Sequence, residues 1–518
     1  MKQLKKWVAL LLFWVPLYTQ ANNIQISNVT TVITGSVVQV QFDLSWENSW
    51  RASSTGNWDG AWVFFKFRDN DGRWKQLPLT GNNMNIPVGF SHTIPANNSN
   101  PGVGMFIYRS ANGFGNVALT GIRAGISSFP GTYNIKGFAV EMVYIPQGSY
   151  FLGDAAGSNA SNGYYRGTNT LLNYQVTGAG STVILGTATT HLRDNIATTA
   201  TDTLDNFPVG YNAYWMMKYE LSQDGYVQFL NCLTYLQQVY RGGTPNVAGS
   251  HVLVFHTGGR IRVQTAGVSP ATPAVYGNDA DGDNIFNETN DGQWNTMGGL
   301  SWADVAAWLD WAGLRPTTEM EYEKSARGPL TPVNDEFPWG NATIASTPYT
   351  VTNNYQANST INYSSTEGNA VYSLTEDTST VRNGIFANSL STRVSAGAGY
   401  YGAMELAGNT MELCVTTANI AGRSYTGWHG DGALTDSGQA NENFWPGING
   451  NNSTTTPNTV FGGVTGVNND AGIIKRGGAY HDVLLNFLRT SYRLPHSLYS
   501  GTGSRLQGHG VRGVRDAN

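Results

Sequence analysis

Asp279-Ala-Asp-Gly-Asp283 places three carboxylates at alternate positions, an oxygen-rich pattern that can wrap a hard divalent cation such as calcium. A helix–loop–helix calcium loop turns on glycine at its sixth position, which here is Asn284. The run therefore predicts a calcium loop of another type or a solvated acidic turn. Sulfur chemistry has less material. Cys232 and Cys414 are the only cysteines, they are not in C-x-x-C spacing, and none follows Cys414. Cys232 lies in the helix-like run Tyr226-Val-Gln-Phe-Leu-Asn-Cys-Leu, which points to a buried inert thiol, with a single Cys232–Cys414 disulfide as the alternative. The eight histidines are His92, His191, His251, His256, His429, His481, His496 and His509. A three-histidine metal site would have to be assembled by folding, from His429, His481 and His496. Residues 480–510 concentrate polar and aromatic side chains: Tyr480, His481, Asp482, Asn486, Tyr492, His496, Tyr499 and Arg505.

The elements that must position these groups are mostly strands and loops. Between Asn22 and Tyr133 the pattern has period two, as in Val37-Val-Gln-Val-Gln-Phe-Asp-Leu-Ser-Trp46, Ala61-Trp-Val-Phe-Phe-Lys-Phe-Arg68 and Gly104-Met-Phe-Ile-Tyr-Arg109. Turn clusters such as Pro95-Ala-Asn-Asn-Ser-Asn-Pro101 separate the runs, so 22–136 is expected to be an antiparallel β-sandwich. Of its tryptophans Trp46, Trp50, Trp58 and Trp62, which could form a sugar-stacking surface, Trp46 and Trp62 are read as core. Two helices are expected beyond it. Gly225–Gln237 carries an apolar stripe at Tyr226, Phe229, Leu230 and Leu233, and Ser301–Gly313 opens on a Ser N-cap with Asp304 three positions on. The polar, Gly/Asn/Thr-rich stretches 155–205, 240–298 and 342–400 read as long loop insertions on a second domain, 137–518. The fold class is α+β with much irregular structure.

Composition narrows the function classes. The 518 residues are 13% charged, against roughly 25% for an ordinary soluble chain, and 12% aromatic, with a net charge of −5. Without clustered Lys and Arg, no nucleic-acid partner is expected. The hydrophobic content of 40% can bury a core and excludes wholesale disorder. At the N-terminus, Lys2, Lys5 and Lys6 precede the apolar run Trp7–Leu17 and the small-residue site Thr19-Gln20-Ala21, the pattern of a signal peptide over 1–21. The run is too short to span a bilayer, no cysteine follows it to carry a lipid, and no later segment is long enough to span. Export to the cell surface or medium is expected, with the periplasm as the alternative.

Seven short motifs then follow in order: Phe151-Leu-Gly-Asp154; Lys218-Tyr-Glu220; Arg315-Pro-Thr-Thr-Glu-Met-Glu-Tyr-Glu-Lys-Ser-Ala-Arg-Gly328; Phe337-Pro-Trp-Gly-Asn341; Gly408-Asn-Thr-Met-Glu-Leu413; Arg476-Gly-Gly-Ala-Tyr480; and Gly513-Val-Arg515. Read physically, Thr318 and Glu319 can cap a helix, Glu321 and Arg327 can pair, and Gly477-Gly478 suits a tight turn. The series resembles the formylglycine-generating enzyme (sulfatase-modifying factor) family, whose motifs run F-x-M-G, E-V-T-N, L-P-T-E-A-E-W-E-Y-A-x-R-G, P-W-G-N, G-N-V-W-E-W, R-G-G-S-W and G-F-R. The resemblance covers roughly 140–518.

That resemblance implies a C-type-lectin-like fold of low regular structure, often with structural calcium. It carries calcium ligation onto Asn409 and Glu412, with Met411 and Leu413 replacing the family's two tryptophans, and onto Asn354 and Tyr355 at a second site. It also carries the family's two copper-binding catalytic cysteines onto Asp482 and Phe487, so no copper is expected. The related iron-dependent sulfoxide synthases use H-x-x-x-H-x-E, which none of the histidines matches. The same fold makes Tyr480, His481, Asp482, Asn486, Tyr492, His496 and Arg505 a ligand-facing surface. The leading expectation is an exported, non-catalytic binding or structural surface protein. Its partner would be an extracellular glycan or protein, or another copy of itself. The alternatives are a divergent metal-dependent oxidoreductase and a ligand receptor diversified by a retroelement.

Overall fold

The computed structural model describes residues 23–517 apart from 54–55, 97–101, 128–133, 156–162, 195–200, 244, 253–259, 347–348, 375–379, 443, 449–470 and 494–504. The expected signal peptide, His256, His496 and Tyr499 lie outside the described residues. Among the described residues eight strands come first: β1 (Gln25–Thr34), β2 (Val37–Ala52), β3 (Asn57–Arg68), β4 (Trp74–Gln76), β5 (Phe90–Thr93), β6 (Gly104–Arg109), β7 (Gly113–Gly125) and β8 (Ile135–Ile145). Alternation decides their faces. Val40, Phe42, Leu44 and Trp46 of β2 point inward with Val117, Leu119 and Ile122 of β7, and meet Ala61, Val63 and Phe65 of β3. Phe42 and Phe65 cross edge to face with centroids 5.2 Å apart. This is the expected sandwich, with Trp46 and Trp62 in cores.

β3 is buried on both sides, which explains its unbroken apolar run Ala61–Phe65. Its even-numbered side chains face a second core: Phe64 meets Trp311, and the Trp62 indole N–H donates to the Ala312 carbonyl at 2.8 Å. β8 pairs antiparallel with β3 from Asp59↔Val143 to Phe67↔Ile135. It then pairs with Tyr214–Met217, which pairs with Gly513–Asp516, and that strand with Arg315–Pro316. One 11-stranded sheet therefore runs from the N-terminal sandwich into the C-terminal half, and position 136 falls inside β8.

Two polar-flanked helices sit against this sheet. α3 (Trp302–Trp311) begins at Ser301, whose hydroxyl accepts from the Asp304 N–H while the Asp304 carboxylate accepts from the Ser301 N–H. Every residue of α3 is buried, in keeping with a sequence apolar nearly all round. α4 (Glu319–Arg327) starts from an equivalent Thr318/Glu321 capping box. The expected Glu321–Arg327 pair does not form. Six residues apart, the two lie on different faces of the helix; Glu321 binds Arg315, and Arg327 binds Glu323 and Glu336.

The helix expected over 225–237 is two, α1 (Gln223–Leu230) and α2 (Tyr235–Gly242). Thr234 starts the second as an N-cap boxed with Gln237, so local side-chain hydrogen bonds interrupt a stripe that reads as continuous. The stretches expected as loops carry small sheets of their own. Tyr164–Arg166, Leu192–Asp194, Ile184–Leu185 and Asp202–Thr203 form one, and Ile261–Thr265 with Val275–Asn278 another. Cys232 and Cys414 are free and buried, in different cores, which removes the disulfide alternative. Among the described residues no helix is long and apolar enough to cross a membrane.

Candidate functional site

The acidic run lies just after the Ile261–Thr265/Val275–Asn278 hairpin, whose register sets Ile261 opposite Asn278 and delivers Asp279 fully buried. Its backbone is tied by its own carboxylates. Asp279 Oδ1 accepts from the Gly282 N–H at 2.8 Å, Asp281 Oδ1 from the Asp283 N–H at 3.2 Å, and Asp283 Oδ1 from the Ile285 N–H at 2.7 Å. Gly282 and Asn284 take positive φ, 80° and 67°, which lets the chain curl. One oxygen from each of Asp279, Asp281 and Asp283 lies within 4.8 Å of the other two, so these residues fit the hard-oxygen cradle that calcium takes. Asp291 is buried beside them, accepting from the Ala280 and Glu288 N–H groups, and burial raises its carboxyl above the usual range.

Tyr355, predicted at a separate site, packs against this loop. Its carbonyl accepts from the Gly292 N–H at 2.8 Å, and the Arg260 guanidinium lies 4.1 Å from its ring centroid. The Asn354 side-chain oxygen accepts from the Tyr355 N–H. The fold thus joins two of the three regions expected to hold metal.

Asn409 and Glu412 are arranged differently. Asn409 sits at φ 62° after Gly408, and its amide oxygen accepts from the Val381 N–H while its Nδ2 donates to Glu220 and Thr296. Glu412, on the strand Met411–Val415, accepts from Arg512 Nε at 2.9 Å. These contacts use the Asn409 amide and one Glu412 oxygen within the protein, leaving only Glu412 Oε2 of that set without a partner. The pair does not fit a shared cation cradle. Burial, opposed by Arg512, pushes the Glu412 carboxyl up to about 7.

The turn Arg476-Gly-Gly-Ala-Tyr480 carries the chain to Asp482 and Phe487, the positions onto which the resemblance is expected to place two copper-binding cysteines. Gly477 and Gly478 have φ 85° and 70°, and a Cβ on Gly477 would sit 2.7 Å from Glu412 Oε2 and 3.0 Å from the Leu406 carbonyl oxygen, so glycine suits the close return. Asp482 is half-buried, with Oδ2 accepting from the Ala479 N–H at 2.6 Å and burial raising its carboxyl. The Phe487 ring packs on Tyr492 at 5.4 Å. Of the expected ligand surface, Tyr480 and Tyr492 turn inward and are buried, and Arg505 is engaged by Asp304 at 2.7 and 2.9 Å. His481, Asp482 and Asn486 remain partly exposed. Beside them Val483, Leu484 and Leu485 are exposed, Val483 to 71%. Only their apolar types in a polar stretch could have signalled this.

His429 accepts from the Asp516 N–H at 3.0 Å, and His509 lies against the Leu300 carbonyl. Among the described residues no group of side chains placed to share a metal includes a histidine. A second carboxylate group does occur, from Asp310 in α3 and Asp431 and Glu442 in the 428–448 loop, and nothing in their spacing announces it.

The family described as sulfatase-modifying factor enzyme 1-like matches residues 136–517. No curated protein matches the chain.

Proposed function

The chain belongs to the sulfatase-modifying factor enzyme 1-like family, and from that premise we propose an exported, non-catalytic binding or structural protein that keeps the family's scaffold. One observation carries the reading: Asp482 and Phe487 stand where the family resemblance puts two copper thiolates. Neither side chain is a soft ligand for copper. The remaining cysteines do not compensate, because burial pushes the Cys232 thiol up to about 11 and holds Cys414 well above its ordinary value. Both stay protonated near neutral pH, and a thiol binds metal as thiolate.

Calcium held by Asp279, Asp281 and Asp283 is part of the same proposal. The ion would offset most of the charge of the three carboxylates, of which Asp279 also faces Arg262 Nε at 3.5 Å, and stiffen the 279–292 loop. Export rests on the N-terminal pattern Lys2 to Ala21. The partner, an extracellular glycan or protein or a second copy, would meet the surface made by His481, Asp482, Asn486 and the exposed Val483–Leu485 run.

Metal content by mass spectrometry, together with a cysteine-peptide oxidation assay with added copper, tests the reading. At least one calcium ion per chain, with no copper and no oxidation, is expected. Stoichiometric copper with oxygen-dependent conversion of the peptide would overturn it.

A further inference from the structure

We propose that Asp310, Asp431 and Glu442 form a second divalent-cation site of the calcium class, independent of the Asp279–Asp283 loop. The site begins with a conflict. α3 is buried throughout, yet its penultimate residue is an aspartate with 0% exposure. The 428–448 loop is built around that carboxylate. Asp310 Oδ1 accepts from the Asp431 N–H at 3.0 Å, Oδ2 from the Asn441 N–H at 3.1 Å, and the Asp310 carbonyl from the Gly432 N–H at 3.0 Å. A Cβ on Gly430 would lie 2.4 Å from Asp310 Cα, so the loop can press this close only through glycine. The loop leaves at Asp431, returns at Asn441, and so carries Asp431 and Glu442 to the same point.

One oxygen from each of the three carboxylates lies within 4.8 Å of the other two. Ligands held 2.3–2.6 Å from a common calcium ion have such separations. Glu442 supplies the second observation. It is 9% exposed, its carboxylate is aimed into the group, and among the described residues it meets no hydrogen-bond donor and no cation. The nearby buried cation does not neutralise the group by contact. Lys66 Nζ donates to the Trp311 carbonyl (2.6 Å), the Gly432 carbonyl (2.8 Å) and Gln76 Oε1 (2.8 Å), and reaches none of the three carboxylates.

Among the described residues Asp431, half-buried, accepts only from the Ala433 N–H at 2.8 Å and no cation touches the three carboxylates, so their clustering is unfavourable unless they bind protons or a cation. The two backbone N–H groups fix the Asp310 carboxyl in place, and each of its oxygens keeps a lone pair free for a metal. The donor set is all carboxylate oxygen, with no nitrogen or sulfur, which selects a hard ion over copper or zinc.

Calcium titration calorimetry on the chelator-treated full chain, in an Asp281→Asn/Asp283→Asn background that disables the first loop, isolates this site. That variant is expected to bind one calcium ion, and adding Glu442→Gln is expected to weaken binding at least tenfold. Thermal unfolding guards against misfolding. Without metal, Glu442→Gln should melt at or above the temperature of its parent, because one repelling charge is gone, while its calcium-induced rise in Tm disappears. No calcium bound by the Asp281→Asn/Asp283→Asn protein, or an unchanged calcium response after Glu442→Gln, would overturn the proposal. The wild type reports separately on the first loop, since losing that site alone lowers the stoichiometry from two to one.

Discussion

Glu319→Gln tests how the family-type helix α4 is held. Glu319 has no exposure, and its two oxygens serve five donors. Oε1 accepts from Thr416 Oγ1 (2.6 Å), the Thr417 N–H (3.1 Å) and Arg493 Nη2 (2.8 Å); Oε2 accepts from Arg493 Nε (2.6 Å) and Arg476 Nη1 (3.4 Å). Arg493 also binds both oxygens of Asp194, and Arg476 binds Glu323. Glutamine keeps the volume, so no cavity term enters. It removes one negative charge, and its amide NH2 must point at a guanidinium or at a backbone N–H, donor against donor. Breaking a buried ion pair from one side costs about 3–5 kcal/mol. At about 2 °C per kcal/mol for a large domain, the expected fall in Tm is about 6–10 °C. The assay is scanning calorimetry at pH 7 with fixed calcium, because bound ions shift Tm by mass action. A fall under about 2 °C would refute the reasoning and mean that Asp194 and Glu323 alone neutralise the two arginines.

Three further outcomes are expected. A thiol reagent should label neither Cys232 nor Cys414 in the native protein and both after denaturation, since both are buried; rapid native labelling of either would contradict this placement. Burial raises Glu405 from 4.5 to about 7, so the folded state holds a proton that the unfolded state has released between those values, and stability falls as pH rises through that window. Glu405→Gln should therefore gain on the wild type in Tm between pH 4.5 and 7, and a constant gap would contradict the assignment. Gly408→Ala, at φ 79° with its new Cβ 2.3 Å from the Val371 carbonyl oxygen, should destabilise by about 1–3 kcal/mol or more, read as a lower urea midpoint.

Much of the fold is legible where the determining contacts are local. The Ser301/Asp304 box bonds over three residues, and Thr318 caps α4 as residue order indicates, so both helix starts are legible, although the partner that closes the second box is Glu321 and not the expected Glu319. The period-two runs of β2 and β3 report which face is buried, and the Gly477-Gly478 turn needs only positive φ at two adjacent residues. Asp279, Asp281 and Asp283 are readable as a cluster for the same reason, since alternate positions in a curled loop cannot stray far apart.

Sequence alone therefore determined the caps, the strand faces, the acidic loop, and the order of motifs that places the chain in its family. Tertiary structure decided the rest. It joined the two halves through the β3–β8 pairing and gave Glu321 to Arg315 rather than Arg327. It turned Tyr480 and Tyr492 inward and gathered Asp310, Asp431 and Glu442 into one acidic site. Each of these depends on which distant surface covers a residue. A buried charge accepts whichever partner lies within hydrogen-bond reach after the cores close, and that distance is not written in residue spacing.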